Sequence, residues 1–205
     1  MHFRVHCYRT PNFSPIALTA ATLLWSEKPL VPQSYAGTAD QRKPPMQKTS
    51  AALLAGTAVI SAQLNGRRFN PTADHPGTAA WYAALRKPSF TPPGPVFGIA
   101  WTALDALLGY SGYRLMTARP SQPRSLALGA WGLNLLGVAG FSWVLFKRKR
   151  LDQALEVTAG MVATSAATVV TAASVDRRAA WAGLPLLGWV LFASVLQEEV
   201  WRRNS

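Results

Sequence analysis

The feature that most limits how this chain can fold is a series of long apolar stretches between residue 50 and the C-terminus. We predict five membrane-spanning segments from them, over residues 50–64, 94–116, 126–146, 154–175 and 179–201. The last four approach the roughly 20 residues that a helix needs to cross the hydrocarbon layer, and the first is short for a full crossing. Lipid cannot hydrogen-bond to the backbone, and the stretches lack the alternation of a β-barrel. The sequence therefore predicts an all-α membrane protein, a bundle of five transmembrane helices.

The composition supports a membrane class of protein. Charged residues make up 15% of the chain, against roughly a quarter in soluble domains. The net charge of +12 resides in short clusters between the apolar stretches, where Lys and Arg face lipid headgroups. No basic helix or aromatic-basic sheet pattern is present. We therefore expect the lipid bilayer as a partner and no nucleic acid.

The distribution of basic residues also gives an orientation. With five spans the two termini lie on opposite sides of the membrane. The side with the first loop, the third loop and the C-terminus carries ten Lys and Arg residues, against six on the other side, or eight if Arg42 and Lys43 of the extension are included. The positive-inside rule then predicts a multi-pass protein with its C-terminus in the cytoplasm.

Residues 1–47 differ from the rest of the chain because they are polar and rich in proline, apart from one apolar run over residues 15–25. That run, with Arg4 and Arg9 before it, resembles the core of a signal peptide. Alternatively the start codon is assigned too early, and Met46 is the natural first residue. We expect residues 1–47 to be a disordered or mis-assigned extension, and residues 48–205 to form the five-helix domain.

The first connection, residues 65–93, is longer than the others at about 29 residues. A long loop in a compact bundle is usually functional or disordered. Aromatic residues and prolines near its end favour an ordered structure, so we predict a long lid loop between helices one and two.

Reactive side chains are scarce. Cys7 is the single cysteine, and the three histidines, His2, His6 and His75, lie outside the apolar stretches. Neither a catalytic triad nor a metal cluster can be assembled from them. We therefore predict no catalytic and no metal-binding residue, and we consider an enzyme the less expected class.

Two polar residues near the middle of predicted spans are candidates for a functional role. Asp105 lies in the middle of the second span, where a carboxyl group is costly and is expected to be largely neutral. It either contacts a ligand or bonds to a neighbouring helix, for example to a hydroxyl of the fourth span. Asn134 in the third span either joins helices or lines a pocket, and the former is the commoner outcome.

The tryptophans divide by position. Trp181 and Trp201 flank the fifth span, as residues of the interfacial belt do. Trp101, Trp143 and Trp189 lie further inside their spans, where the indole N–H needs a partner, and we expect them to face an inner pocket.

Several motifs together resemble the TspO/MBR family of tryptophan-rich sensory and translocator proteins. The motifs are WYAALRKPSFTPP at 81–93, Val96-Phe97, Trp101-Thr102, Gly109-Tyr110 and the pattern Pro185, Trp189, Phe192-Ala193, Leu196, Trp201. The resemblance extends over residues 50–203. It implies a five-helix bundle whose first loop closes a pocket, often in a homodimer.

The resemblance also implies a ligand, a tetrapyrrole such as protoporphyrin IX or haem, and it implies no required cofactor. By position, Trp101 and Trp189 are expected as pocket walls and Tyr82 and Phe90 as lid residues. We add a further set of candidate ligand-binding residues: Asp105, Asn134 and Phe192.

Three functions remain open at this point. The leading hypothesis is a membrane protein that binds a planar hydrophobic molecule for transport, sensing or sequestration. The second is an enzyme that degrades bound porphyrin in a light- or oxygen-dependent reaction. The third is a helix-dimer scaffold without a ligand.

Overall fold

The computed structural model describes residues 44–205, and in this part of the chain the regular structure is entirely helical. Six helices are present, and α4 continues directly into a π-helical turn, Trp143–Lys147. Their bounds are α1 Lys48–Arg67, α2 Pro76–Ala84, α3 Gly94–Thr117, α4 Gln122–Ser142, α5 Leu151–Ala173 and α6 Arg177–Asn204. The predicted extension, residues 1–47, lies almost wholly outside the described residues.

Local sequence signals fix several of the helix ends. Proline occupies the first turn of α2, α3 and α4, where its missing N–H leaves no hydrogen bond unmade. The Ser121 side chain caps α4 by accepting a hydrogen bond from the Arg124 backbone N–H at 3.3 Å. Asp176 caps α6 by accepting from the N–H groups of Arg178 and Ala179.

The five long helices pack as a closed ring. Helix α1 contacts α3 and α4, α3 also contacts α6, and α5 completes the ring between α6 and α4. Side chains of all five helices fill the middle, including Val59, Leu108, Trp131, Met161 and Val190. The bundle interior is therefore a packed core at the level of these residues.

Trp131 is the largest side chain in that core. Its indole N–H donates a hydrogen bond to the Leu108 carbonyl oxygen of α3, 2.9 Å away. The ring lies against Gly112, where an added Cβ would come within 2.5 Å of it. A side chain at position 112 is thus excluded by the tryptophan that joins α3 and α4.

Three of the described helical segments are long and apolar enough to cross a membrane: Gln122–Lys147, Leu151–Ala173 and Arg177–Asn204. Helices α1 and α3 have 20 and 24 residues and reach a similar length. They contain the polar residues Gln63 and Asp105. All five lie where the apolar stretches predicted helices, and their ends differ from the predicted bounds by at most about four residues.

Candidate functional site

A chain of aromatic rings joins α3 and α6 near the N-terminal end of α3. Trp189 is at its centre, with ring centroids 6.5 Å from Trp101, 5.6 Å from Phe97 and 5.6 Å from Phe192. Phe192 in turn lies 6.4 Å from Phe90 of the preceding loop. These contacts are edge-to-face or tilted, which is the favoured geometry for aromatic pairs.

An apolar groove of about 480 Å³ opens between α3 and α6 beside this cluster. Its lining includes Pro92 from the loop, Leu104 and Leu107 from α3, and Gly188, Trp189 and Phe192 from α6. Small-molecule sites typically have volumes of about 300–1,000 Å³, so the groove is large enough for one.

Gly188 contributes to the openness of this groove. A Cβ at that position would meet no atom within 4 Å. The groove lining contains no histidine, cysteine, methionine or tyrosine. A molecule bound here is held by shape and by ring contacts rather than by ligation of a metal.

The structure brings four of the seven predicted site residues together. Phe90, Trp101, Trp189 and Phe192 form one contact chain. Trp189 and Phe192 line the groove directly, whereas Trp101 contacts Trp189 without lining the groove. Both tryptophans pack against the bundle core.

Tyr82 lies apart from these four residues. Its ring packs edge-on against Phe146 of the π-helical turn at 5.4 Å, and the Lys87 ammonium lies 4.5 Å from its centroid. Burial raises the pKa of the Tyr82 hydroxyl, which keeps it neutral at physiological pH. Its contact with a ligand remains a prediction.

Asp105 faces α1 rather than the groove. Its carboxyl oxygen accepts a hydrogen bond from the Gln63 side-chain amide at 2.7 Å. The sequence suggested a hydroxyl of the fourth span as one possible structural partner, and that suggestion is wrong because α1 lies against this side of α3. Gln63 itself was missed, since a single Gln near a span end carries no distinctive signal.

Asn134 is fully buried and joins α4 to α5. Its amide oxygen accepts hydrogen bonds from the hydroxyl groups of Thr164 and Ser165, each at 2.9 Å. Its amide nitrogen donates to the Thr168 hydroxyl and to the Ala130 carbonyl, both at 3.3 Å. These contacts support the interhelical alternative, while a ligand contact stays a prediction.

The expectation that Trp143 faces an inner pocket is wrong. Its side chain is 41% exposed on the outer surface, and the Arg148 guanidinium lies 5.1 Å from its ring. The π-helical turn begins at this residue, at the end of α4, so Trp143 does not lie deep inside the span as its position in the apolar stretch suggested. Trp181 and Trp201 are exposed at 58% and 38%, as belt residues are expected to be.

The connection between α1 and α3 contacts two other parts of the chain. The Arg86 backbone N–H donates to the Asn204 side-chain oxygen, and the Asn204 amide donates back to the Arg86 carbonyl, both at 3.0 Å. Lys149 lies 5.5 Å from the Trp81 ring. The loop thus contacts the end of α6 and the turn after α4.

Comparison with known proteins agrees with these features. The sequence model of the TspO/MBR family matches residues 50–202. Protein CrtK of Rhodobacter capsulatus is 31% identical over 148 residues, covering 72% of this chain and 88% of the relative. The human translocator protein is 32% identical over 132 residues, covering 60% and 75% of the two chains. The tryptophan-rich protein TspO of Archaeoglobus fulgidus is 32% identical over 130 residues, covering 61% and 80%.

The chain belongs to the TspO/MBR family. Family membership and the long apolar helices together define a multi-pass membrane protein of the translocator and sensory class. The family resemblance predicted from the motifs is thereby confirmed.

Proposed function

We propose that this protein binds a planar hydrophobic molecule, a tetrapyrrole such as protoporphyrin IX or haem, in the groove between α3 and α6. The observation that carries the proposal is the position of Trp189. Its ring lines an apolar groove of about 480 Å³ and contacts the Trp101 ring at an interplanar angle of 79°. An aromatic wall of this kind offers a flat macrocycle offset stacking in addition to the burial of its surface.

The loop before α3 is proposed to act as the lid of this site. Pro92 forms one end of the groove, and Phe90 contacts the groove residue Phe192. The opposite part of the loop is attached to α6 through Arg86 and Asn204. Opening the groove at this end therefore requires that Phe90 leave Phe192, while the Arg86 contact holds the rest of the loop in place.

We propose that all five long helices cross the membrane, with the C-terminus in the cytoplasm. Helices α1 and α3 complete the ring with the three apolar helices. Their polar side chains at Gln63 and Asp105 hydrogen-bond to each other, which reduces the cost of placing them in the membrane. Cysteine accessibility at Ser205 and Gln47 tests this topology: the two positions should react from opposite sides of the membrane.

The second candidate function is oxidation of the bound porphyrin by dioxygen under light. The contact between the two indole rings of Trp101 and Trp189 favours it, because an indole beside the macrocycle can donate an electron to the photoexcited porphyrin. Dioxygen then accepts that electron, and the indole radical regains one from the porphyrin, which is thereby oxidised. Bleaching of the porphyrin spectrum under illumination in air, absent in the dark and lost in Trp189→Phe, would support this activity. A porphyrin spectrum that stays unchanged under light would exclude this activity, and ligand binding would be the only function.

The experiment that tests binding is a titration of the purified protein with protoporphyrin IX, followed by quenching of tryptophan fluorescence. We expect saturable quenching and a rise in the midpoint of thermal unfolding, because a ligand that binds the folded state stabilises it. Haem should bind with similar affinity, since the groove offers no side chain to coordinate iron. A scaffold without a ligand site would show neither saturation nor a thermal shift.

A further inference from the structure

A second groove lies on the outer surface of the bundle, away from the aromatic cluster. It has a volume of about 440 Å³ and follows one side of α4 beside the end of α1. The residues that line it are Asn65, Phe69, Leu136, Ala139, Gly140 and Trp143. Leu136 is 68% exposed, so the end of the groove nearest the middle of α4 is apolar and open to the surroundings of the bundle.

The floor of this groove is a fixed contact between α1 and α4. The Asn65 side-chain amide donates a hydrogen bond to the Ala139 carbonyl at 3.1 Å. The next residue of α1, Gly66, packs against Ser142, which lies about one turn after Ala139 on α4. A Cβ at position 66 would lie 3.4 Å from the Ser142 hydroxyl oxygen. The groove is therefore part of the folded bundle.

A cluster of basic residues lies close to the other end of the groove. Lys147, Arg148, Lys149 and Arg150 come shortly after Trp143 in the chain, and the Arg148 guanidinium lies 5.1 Å from the Trp143 ring. Asp152 pairs with Arg150, whereas no carboxylate of residues 44–205 pairs with the other three. Arg68 lies next to the groove residue Phe69 and is exposed. The groove thus passes from an apolar stripe to a cationic mouth.

We propose that this groove binds one anionic phospholipid. An acyl chain lies along Leu136 and Gly140, and the phosphate meets Arg148 at the mouth. The order of the two ends matches a lipid in a leaflet, with its apolar part deeper than its charge. Clusters of Lys and Arg beside a membrane helix attract anionic headgroups, and a guanidinium can donate two parallel hydrogen bonds to a phosphate. Charge complementarity and surface position together favour a lipid over a soluble anion.

Two pairs of variants separate the acyl chain from the headgroup. Gly140→Leu fills the groove, since no atom lies within 4 Å of a Cβ there, and Gly129→Leu is its control on the same helix with the same open space. Arg148→Gln removes the cation at the mouth. Arg178→Gln removes an exposed arginine at the opposite end of the bundle and is the matched control.

The experiment uses the full chain in vesicles of phosphatidylcholine that contain a small fraction of brominated phosphatidylglycerol or brominated phosphatidylcholine. Bromine on the acyl chain quenches a tryptophan that it contacts. We expect stronger quenching by the anionic lipid, and we expect the excess to disappear in Trp143→Phe. The preference should fall about fivefold in Arg148→Gln, given the usual contribution of one basic residue near an anionic surface. It should vanish in Gly140→Leu and persist in both controls.

Several outcomes overturn the proposal. Equal quenching by the two brominated lipids would show ordinary contact with the bilayer. If Gly140→Leu kept the full preference for the anionic lipid, the site would recognise a headgroup without an acyl chain. Loss of the wild-type preference on addition of inorganic phosphate would show the same. Cross-linking of two copies through α4 with no lipid-dependent quenching would show that a second chain covers the groove.

Discussion

The indole rings of Trp101 and Trp189 meet edge to face, with their centroids 6.5 Å apart and their planes at 79°. Trp189 lines the groove between α3 and α6 and Trp101 does not, although both pack against the core. The two tryptophans therefore have different roles, one as the wall that a ligand touches and the other as the support of that wall.

This difference predicts unequal effects of substitution. Trp189→Leu should weaken protoporphyrin IX binding by roughly tenfold, because a stacked aromatic contact contributes about 0.5–1.5 kcal/mol beyond its buried area. Trp101→Leu should weaken it less, since only the support is lost. Equilibrium titration by porphyrin absorbance measures both affinities without relying on tryptophan fluorescence. A larger loss in Trp101→Leu would place the ligand on the inner side of Trp189.

The contact between Gly112 and Trp131 predicts a loss of stability on the smallest possible substitution. Gly112→Ala places a Cβ 2.5 Å from the Trp131 ring and should cost about 1–3 kcal/mol, the usual range for overpacking. Gly129→Ala on α4 meets no atom and should be neutral or stabilising, because Ala favours helix more than Gly does. Thermal unfolding of the two variants in one detergent compares them. Equal midpoints would contradict the packing described for Trp131.

Asp105 is predicted to act through α1 and not through the ligand. Asp105→Asn should keep the hydrogen bond to Gln63 and leave stability almost unchanged. Asp105→Leu removes that bond, leaves the Gln63 amide without this partner and should cost about 1–2 kcal/mol. Neither change should alter protoporphyrin IX affinity. An affinity that responds to Asp105→Asn, or a pH dependence of binding that this variant flattens, would instead place the carboxyl group at the ligand.

Asp176 predicts how stability changes in acid. Burial opposes its charge, but hydrogen bonds from Arg114 and from two backbone amides hold the pKa of Asp176 below its ordinary value of 3.8. A carboxyl group whose pKa is lower in the folded state stabilises it above pH 3.8, and this contribution is lost as the pH falls through the folded pKa. Unfolding should thus become easier below about pH 4.

The variant Asp176→Asn tests this assignment because it keeps a capping side chain while it removes the charge. It should lower stability near neutral pH and reduce the decline in acid. Asp74→Asn, at an exposed loop aspartate, should leave the acid profile unchanged. Thermal midpoints between pH 3 and pH 7 provide the comparison. Parallel curves for wild type and Asp176→Asn would show that other carboxyl groups control the acid response.

The sequence was sufficient to locate the helices but not to orient them around their axes. Apolar length and charged flanks marked all five long helices, because both follow from the cost of placing charge in lipid. Which face of a helix meets which neighbour depends on the packing of the whole ring. For this reason the partner of Asp105 and the outward position of Trp143 were not predictable.

For the candidate site, too, the sequence identified some of the residues and missed others. Motif resemblance selected Trp189 and Phe192, which the structure places in one groove. It gave no indication of Gly188, whose missing side chain leaves room in that groove. Trp131 was also missed, since its role depends on a glycine of another helix that is distant in sequence. A close approach between residues that are distant in sequence can be seen only in the three-dimensional structure.

The most direct test of the proposed function is the effect of filling the groove. Gly188→Leu adds a side chain to the groove between α3 and α6 at a position where a Cβ meets no atom within 4 Å, and Gly160→Leu makes the same change at an equally open position of α5. Protoporphyrin IX titration of the two variants, with thermal unfolding to confirm their folding, measures the consequence. We predict that binding falls at least tenfold in Gly188→Leu and is unchanged in Gly160→Leu. Undiminished binding by a folded Gly188→Leu protein would contradict the assignment of this groove as the ligand site.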